Sequence, residues 1–158
     1  LHMALKKTIE DLLNQAIAER PHLFVVDFSI SNSNNVLITI DGDNGVTLQD
    51  CIDINRAIDH NIDSETYDFS LEVASCGATA PIKNFRQFNK NIGRTLSITT
   101  KDNEKFDAVL TGLEGENLLL EWQAREPKKL GKGKETVTKN TSISYNNIKE
   151  VFVKIIFN

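Results

Sequence analysis

The residues of this sequence that look most like chemistry are Ser75, Cys76 and Gly77. They follow a strand-like Leu71-Glu72-Val73, and small or turn-forming residues run from Ala74 to Ala80 before Pro81 closes the segment. An enzyme can hold a nucleophile in such a place. A serine or cysteine nucleophile needs a base within hydrogen-bond reach and a third group to orient that base. His22 and His60 are the candidates, because Leu1-His2 reads as a cloning remnant ahead of Met3. Nothing in the spacing ties either histidine to the segment, and the stretch is not GxSxG. The expectation is no catalytic residue. Two other uses stay open. Gly77 lets the backbone turn through positive φ or approach a partner closely, and Pro81 biases Ala80 towards an extended shape. Such a segment can meet an RNA phosphate at Ser75 and Gly77, or it can connect two domains.

Metal chemistry finds little support. Cys51 and Cys76 belong to no CxxC pair, and no HxxxH spacing exists. A disulfide between them stays open from sequence, although a cytosolic setting argues against it. Asp41-Gly42-Asp43-Asn44-Gly45 has the look of an EF-hand loop. It lacks the glutamate at the twelfth position and the preceding helix, so it reads as a loop entering a helix. No metal and no cofactor are expected.

Cations offer a third chemistry. The stretch WQAREPKKLGKGKE, residues 122–135, carries Arg125, Lys128, Lys129, Lys132 and Lys134 against Glu126 and Glu135. With Pro127, Gly131 and Gly133 it reads as a mobile basic loop and not a strand centre. Lys83, Arg86, Lys90 and Arg94 form a second basic group. Lysines and arginines so placed can hold phosphates, and each can equally be an ordinary solubilising charge. The chain changes sign near its middle. Residues 1–84 hold thirteen Asp or Glu against five Lys or Arg, and residues 85–158 hold thirteen Lys or Arg against nine acids. A basic half suits polyanions, and an acidic half, with Asp50, Asp53 and Asp59 on a helix, suits a basic protein.

The positioning elements follow from periodicity. Leu5, Ile9, Leu12, Leu13 and Ile17 make one stripe on a helix from 4 to 19, ended by Pro21. Leu23–Ile30 and Val36–Ile40 alternate as a hairpin around Ser31–Asn35. Thr47 caps a second helix with Asp50 three residues on. That helix shows Leu48, Cys51, Ile52, Ile58 and Ile62 on one face, with Cys51 as a buried small hydrophobe. Phe69–Val73 is a third strand, so the order is helix, strand, strand, helix, strand, with both helices on one face of the sheet. Phe85 and Phe88 suggest one helical turn. Short strands follow over residues 96–100, 106–110, 117–122, 136–143 and 151–157, with turn signals at Asp102-Asn103, Gly112 and Gly115. They imply a small β-barrel. The fold class is α+β, an N-terminal α-β-β-α-β domain over residues 3–82 and a β-barrel domain over 83–158. No apolar run approaches the roughly 18 residues of a membrane helix and no leader is visible, so a soluble cytoplasmic protein is expected.

Three stretches together resemble a known family. Glu72, Val73, Ser75, Gly77 and Pro81 match the E-V-S-S-P-G-x-x-R-P-L signature of the bacterial ribosome maturation factor RimP family. Gly45-Val46-Thr47-Leu48-Gln49-Asp50-Cys51 resembles its G-V-x-L-D-D-C helix, and Phe85, Phe88, Gly93 and Arg94 resemble the F-x-x-F and G-R entry to its second domain. Cys76 stands where the family has proline and Ala80 where it has arginine, with Lys83 or Arg86 as possible compensation. The resemblance implies an SH3-like or Sm-like barrel after the α/β domain. It also implies a non-enzymatic factor that binds the immature small (30S) ribosomal subunit near its decoding region and leaves the mature one. Its contacts would then be rRNA at Ser75, Gly77, Lys83, Arg86, Lys90, Arg94, Lys128, Lys129, Lys132 and Lys134. Asp50, Asp53 and Asp59 would face a basic ribosomal protein. No small-molecule substrate, no membrane partner and no oligomer beyond a monomer are expected. Two alternatives remain: a generic RNA-binding barrel, and a protein–protein adaptor taking a peptide on an aromatic groove. Trp122 and Tyr145 are the Trp and Tyr of the second half, and Trp122 reads as barrel core or rim rather than as a base-stacking platform.

Overall fold

The first helix, α1, spans His2–Ala18 and buries Leu5, Ile9, Leu13 and Ala16. The computed structural model describes residues 2–63 and 65–155, His2 by its backbone alone. Leu12 and Ile17 lie at the margin of the stripe, half-covered. The last turn is closed by Arg20, whose Nη1 donates to the carbonyl of Ala16 at 3.0 Å. A cation there satisfies an orphan carbonyl and complements the helix dipole.

Strands β1 (Leu23–Ile30) and β2 (Asn35–Gly42) pair antiparallel as the alternation requires. Asn34 takes φ 60° in their turn, a conformation asparagine tolerates better than most residues. Along β2, Val36, Ile38 and Ile40 point inward and are buried, while Leu37 points away. Helix α2 (Leu48–Asp59) crosses over to β3 (Ser70–Ser75), which pairs parallel to β2 with Val73 opposite Ile38 and Ser75 opposite Ile40. The sheet order is β1-β2-β3. One core takes in Leu5 and Ile9 of α1, Ile54 and Ile58 of α2, and Ile38 and Ile40 of β2. Each such side chain contributes about 1.5–3 kcal/mol on burial.

Two expectations for this part are corrected. Leu48 does not join the buried face and is 78% exposed, whereas Ile54, absent from the expected stripe, is fully buried. At ~100° per residue Leu48 lies about 100° around the helix from the line of Ile54 and Ile58. The third strand also runs on through Ala74 and Ser75, so the loop begins at Cys76.

The loop after β2 is set by a close approach. A Cβ built on Gly42 would lie 2.1 Å from the carbonyl oxygen of Gly45. The N–H of Gly45 donates to the carbonyl of Gly42, and the N–H of Asp43 donates to the carbonyl of His22. Gly77 is different. Its φ is not in the left-handed region, and a Cβ there would meet nothing within 4 Å.

The chain divides into two units, Leu1–Gly77 and Ala78–Asn158. In the second, a 3-10 helix, Phe85–Asn91, precedes β4 (Thr95–Thr100), β5 (Lys105–Glu114), β6 (Asn117–Pro127) and β7 (Lys134–Ser144). A short 3-10 turn, Tyr145–Asn147, leads into β8 (Ile148–Val153). All ladders are antiparallel, in the order β7-β6-β5-β4-β8. The sheet is open, with β7 and β8 as its edges. Leu96, Ile98, Leu110, Leu118, Leu120 and Val151 form its core. Residues 156–157, expected to end the last strand, lie outside the described residues.

Two further expectations change here. Gly112 is not a turn. It lies inside β5, where the register against β6 shifts between Leu110 and Gly112, a bulge. The segment 122–135 is mostly strand: Trp122 pairs Lys139, and the ladder continues to Pro127 opposite Lys134. Only residues 128–133 form the turn. Pro127 is the last strand residue, where the missing N–H costs little.

Gly42→Ala is expected to destabilise the protein by about 2 kcal/mol, because backbone and not a flexible side chain must yield. Gly77→Ala should stay within about 0.5 kcal/mol of wild type. Urea unfolding of the two variants measures both.

Candidate nucleic-acid interface

The 3-10 helix at 85–91 is held by a buried amide. Asn84 caps it, its Oδ1 accepting from the N–H of Arg86 at 2.9 Å. Gln87 is buried, and its Oε1 accepts from the N–H groups of Lys83 at 2.9 Å and Asn84 at 3.0 Å. The carbonyl of Gln87 in turn accepts from Nδ2 of the buried Asn91 at 2.8 Å. The N–H of Ile82 donates to the carbonyl of Val151, which anchors the incoming chain on β8. Phe85, Phe88 and Tyr145 pack edge to face with ring centroids 5.4–5.5 Å apart. Burial pushes the Tyr145 phenol up in pKa. This scaffold fixes the backbone beneath Lys83, Arg86 and Lys90. Lys83 and Lys90 are exposed and Arg86 is half-buried. Arg94 follows Gly93, which takes φ 95°, and is exposed.

The second basic group sits at the end of the β6–β7 hairpin. The N–H of Lys128 donates to the carbonyl of Gly133 at 3.1 Å, and Gly131 and Gly133 both take positive φ. Lys128, Lys129, Lys132 and Lys134 are exposed. The basic candidates thus occupy two stretches of the chain, each on a defined backbone. The pairing that defines the hairpin carries an ion pair, Lys139 Nζ to Glu126 at 2.6 Å. Trp122 is half-buried against the core with Phe106 beside it at 6.2 Å between centroids, which makes it core rim.

The acidic candidates do not share one face. At 3.6 residues per turn Asp59 falls on the side of α2 opposite Asp50. Asp50 is also committed locally. Its carboxylate accepts from the N–H of Thr47 at 2.9 Å while Thr47 Oγ1 accepts from the N–H of Asp50 at 3.0 Å. The backbone N–H of Thr47 holds the Asp50 carboxyl below its usual pKa, with help from the Thr47 hydroxyl and His22. Asp53 is half-buried and accepts from Gln49 Nε2 at 2.7 Å, while Asp59 is exposed.

Ser75 is exposed at the end of β3, and Cys76 is half-buried. Both cysteines are free thiols, and burial pushes the Cys51 thiol up in pKa. His22 lies 4.0 Å from Asp50. His60 caps the far end of α2, beyond the point where Asn55 reaches the carbonyl of Leu71, and so sits at the other end of β3 from Ser75. Among the described residues no group of three His, Cys, Asp or Glu side chains could hold a metal, and no helix is long and apolar enough to cross a membrane.

Sequence reasoning missed Asn84 and Gln87, the residues that build the first cluster. A signal was present, since Asn-x-x-Gln is a capping-box spacing.

The model of the RimP N-terminal domain matches residues 9–79. The chain is 52% identical over 155 residues to the ribosome maturation factor RimP of Flavobacterium psychrophilum, across 98% of this chain and 100% of that protein. It is 44% identical to the protein of the same name from Christiangramia forsetii, across 97% and 99%. With that of Cytophaga hutchinsonii the identity is 32%, across 85% and 82%.

Gln87→Ala is expected to cost about 2 kcal/mol in urea unfolding, since two partly buried N–H groups lose their acceptor. The Asp50 box has an acid signature. Its folded pKa is depressed, so its stabilisation is present above the unfolded value and is lost as pH falls through the folded one. The difference in stability between wild type and Asp50→Asn should therefore be full above about pH 5 and vanish in acid.

Proposed function

The chain belongs to the ribosome maturation factor RimP family, and on that premise we propose that it is a non-enzymatic assembly factor that binds the immature small ribosomal subunit and promotes its maturation. The observation that carries this reading is the 52% identity spread over the whole length of both chains. The two basic clusters support it. Assembly is helped by lowering the free energy of a correct RNA–protein arrangement, which needs contacts and no nucleophile. Phosphate contacts also weaken with salt, which suits a factor that must leave.

In this reading Ser75 and Gly77 contact rRNA from the first unit, and Lys83, Arg86, Lys90 and Arg94 do so from the second. Lys128, Lys129, Lys132 and Lys134 do so from the hairpin end. Asp53, with the part of Asp50 not used by its cap, faces a basic ribosomal protein, and Asp59, on the opposite side of α2 from Asp50, stays outside that contact. The α/β domain and a following SH3-like or Sm-like barrel are its two domains. The protein acts as a cytoplasmic monomer without cofactor or small-molecule substrate. An adaptor with an aromatic peptide groove has less support, because Tyr145 is packed against Phe85 and Phe88.

Co-sedimentation with immature small subunits, mature small subunits and large subunits, at low and raised salt, tests the proposal. Salt-sensitive binding strongest on immature small-subunit particles is expected. Equal binding to all three, or to none, would sink it.

A further inference from the structure

The hairpin β6–β7 leaves the rest of its sheet part-way. The ladder of β6 against β5 ends with Glu121 opposite Val109. The ladder of β6 against β7 runs on for six more pairs, from Trp122–Lys139 to Pro127–Lys134. Where β5 and β6 part, a cleft of about 290 Å³ opens between Asp107 and Ala108 on one side and Trp122 and Gln123 on the other. Beyond it the chain is a two-stranded ribbon, about 20 Å long at ~3.4 Å per residue, ending in the lysine turn.

The ribbon sorts its charges. One face presents Gln123, Arg125, Thr136, Thr138 and Lys134, all exposed. Arg125 lies across the ribbon on this face, donating from Nη1 to Thr136 Oγ1 at 3.0 Å and from Nη2 to the carbonyl of Lys134 at 3.3 Å. Gln123 and Thr138 bond each other at 3.0 Å. The opposite face continues the line of core residues with Trp122, Ala124 and Val137, all half-buried. Glu126 and Glu135 are cross-strand neighbours on that face, and Lys139 neutralises Glu126. The outward face and the turn thus hold Arg125, Lys128, Lys129, Lys132 and Lys134 and no carboxylate. Among the described residues none of those four lysines forms an ion pair.

We propose that this ribbon is an arm for double-helical RNA, gripping the phosphate backbone through its turn and its outward face. The inference rests on the assembly reading for its biological setting but stands on the ribbon's chemistry. Cations with hydroxyl and amide groups match phosphates and 2′-hydroxyls, the groups an RNA helix displays across its shallow groove. Single-stranded RNA is held by stacking bases on aromatic rings. The outward face and turn carry none, and the nearest ring, Trp122, is on the other side. Leu130 at the turn is 89% exposed and offers no stacking surface.

The test is fluorescence anisotropy of the full chain with a labelled RNA duplex of about 20 base pairs, longer than the ~16 that two successive minor grooves take up, and with one of its strands alone, over a salt series. Wild type should favour the duplex at least tenfold. The triple variant K128E/K129E/K132E should lose at least tenfold in duplex affinity, and a K128Q/K129Q/K132Q variant should flatten the slope of log affinity against log salt by about 3. The glutamines guard against repulsion or misfolding in the charge reversal. Equal or tighter binding of the single strand, or an unchanged salt slope in the glutamine variant, overturns the inference. Co-sedimentation separates the two readings. Wild type that binds immature subunits but not duplex leaves the assembly role standing and removes the arm. Duplex binding without subunit binding does the reverse.

Discussion

Backbone N–H and C=O groups taken out of water must find partners, and both units are arranged around that demand. In the first, β2 is bonded on both edges, to β1 and to β3, so its buried Val36, Ile38 and Ile40 carry no unpaired backbone. Everything else in the unit is placed from that strand. The helices cover its inward face, and the loop at Gly42 returns the chain to the N-terminus of a helix whose own orphan donors are met by Thr47 and Asp50. In the second unit the demand reaches a segment too short for an α-helix. One glutamine oxygen takes two N–H donors, those of Lys83 and Asn84, at the entry to the turn that displays Arg86.

Much of this was legible because burial leaves a period. The stripe on α1, the alternation along β1 and β2, and the Thr47 cap all have one wet and one dry side. The same reason explains the failures. Residues 123–127 and 134–135 carry almost no apolar side chains, so no apolar alternation marks them as strand. Pro127 and the two glycines then read as loop. What holds the ribbon is pairing between two segments, which no single-segment pattern shows. Leu48 failed differently: an apolar residue in the first helical turn can point past the edge of the core. Gly112 was a bulge because a glycine in a strand and a glycine in a turn look alike without the partner strand. At the site, lysine counts single out both basic stretches, but not the Asn84 and Gln87 amides that shape one of them.

Charge separation works at two scales in this chain. The halves differ in sign, and within the ribbon the two faces differ again. The larger asymmetry leaves the two halves with opposite net charge. The smaller one is geometric. Alternation along paired strands sends Arg125 and Lys134 to one side and Glu126 and Glu135 to the other, so a segment of modest net charge presents one face without anions.

That arrangement also bears on how a factor can bind firmly enough to act and weakly enough to go. Lysines on an unstructured loop would lose chain entropy on every contact. Here the turn is already closed by the Lys128–Gly133 hydrogen bond, with two glycines in the left-handed region. The ordering cost is met in folding, and binding spends little beyond the lysine side chains. In the proposed arm affinity is left to phosphate contacts, which counterions compete for at every step. A rearrangement of the RNA that separates even a few phosphates from the turn removes a matching share of the binding energy. Apart from Leu130 at the turn, the outward residues offer no large apolar side chain to hold the complex together afterwards. A stiff arm that grips by cations and hydroxyls, as proposed, is suited to sensing RNA shape, and to release when that shape changes.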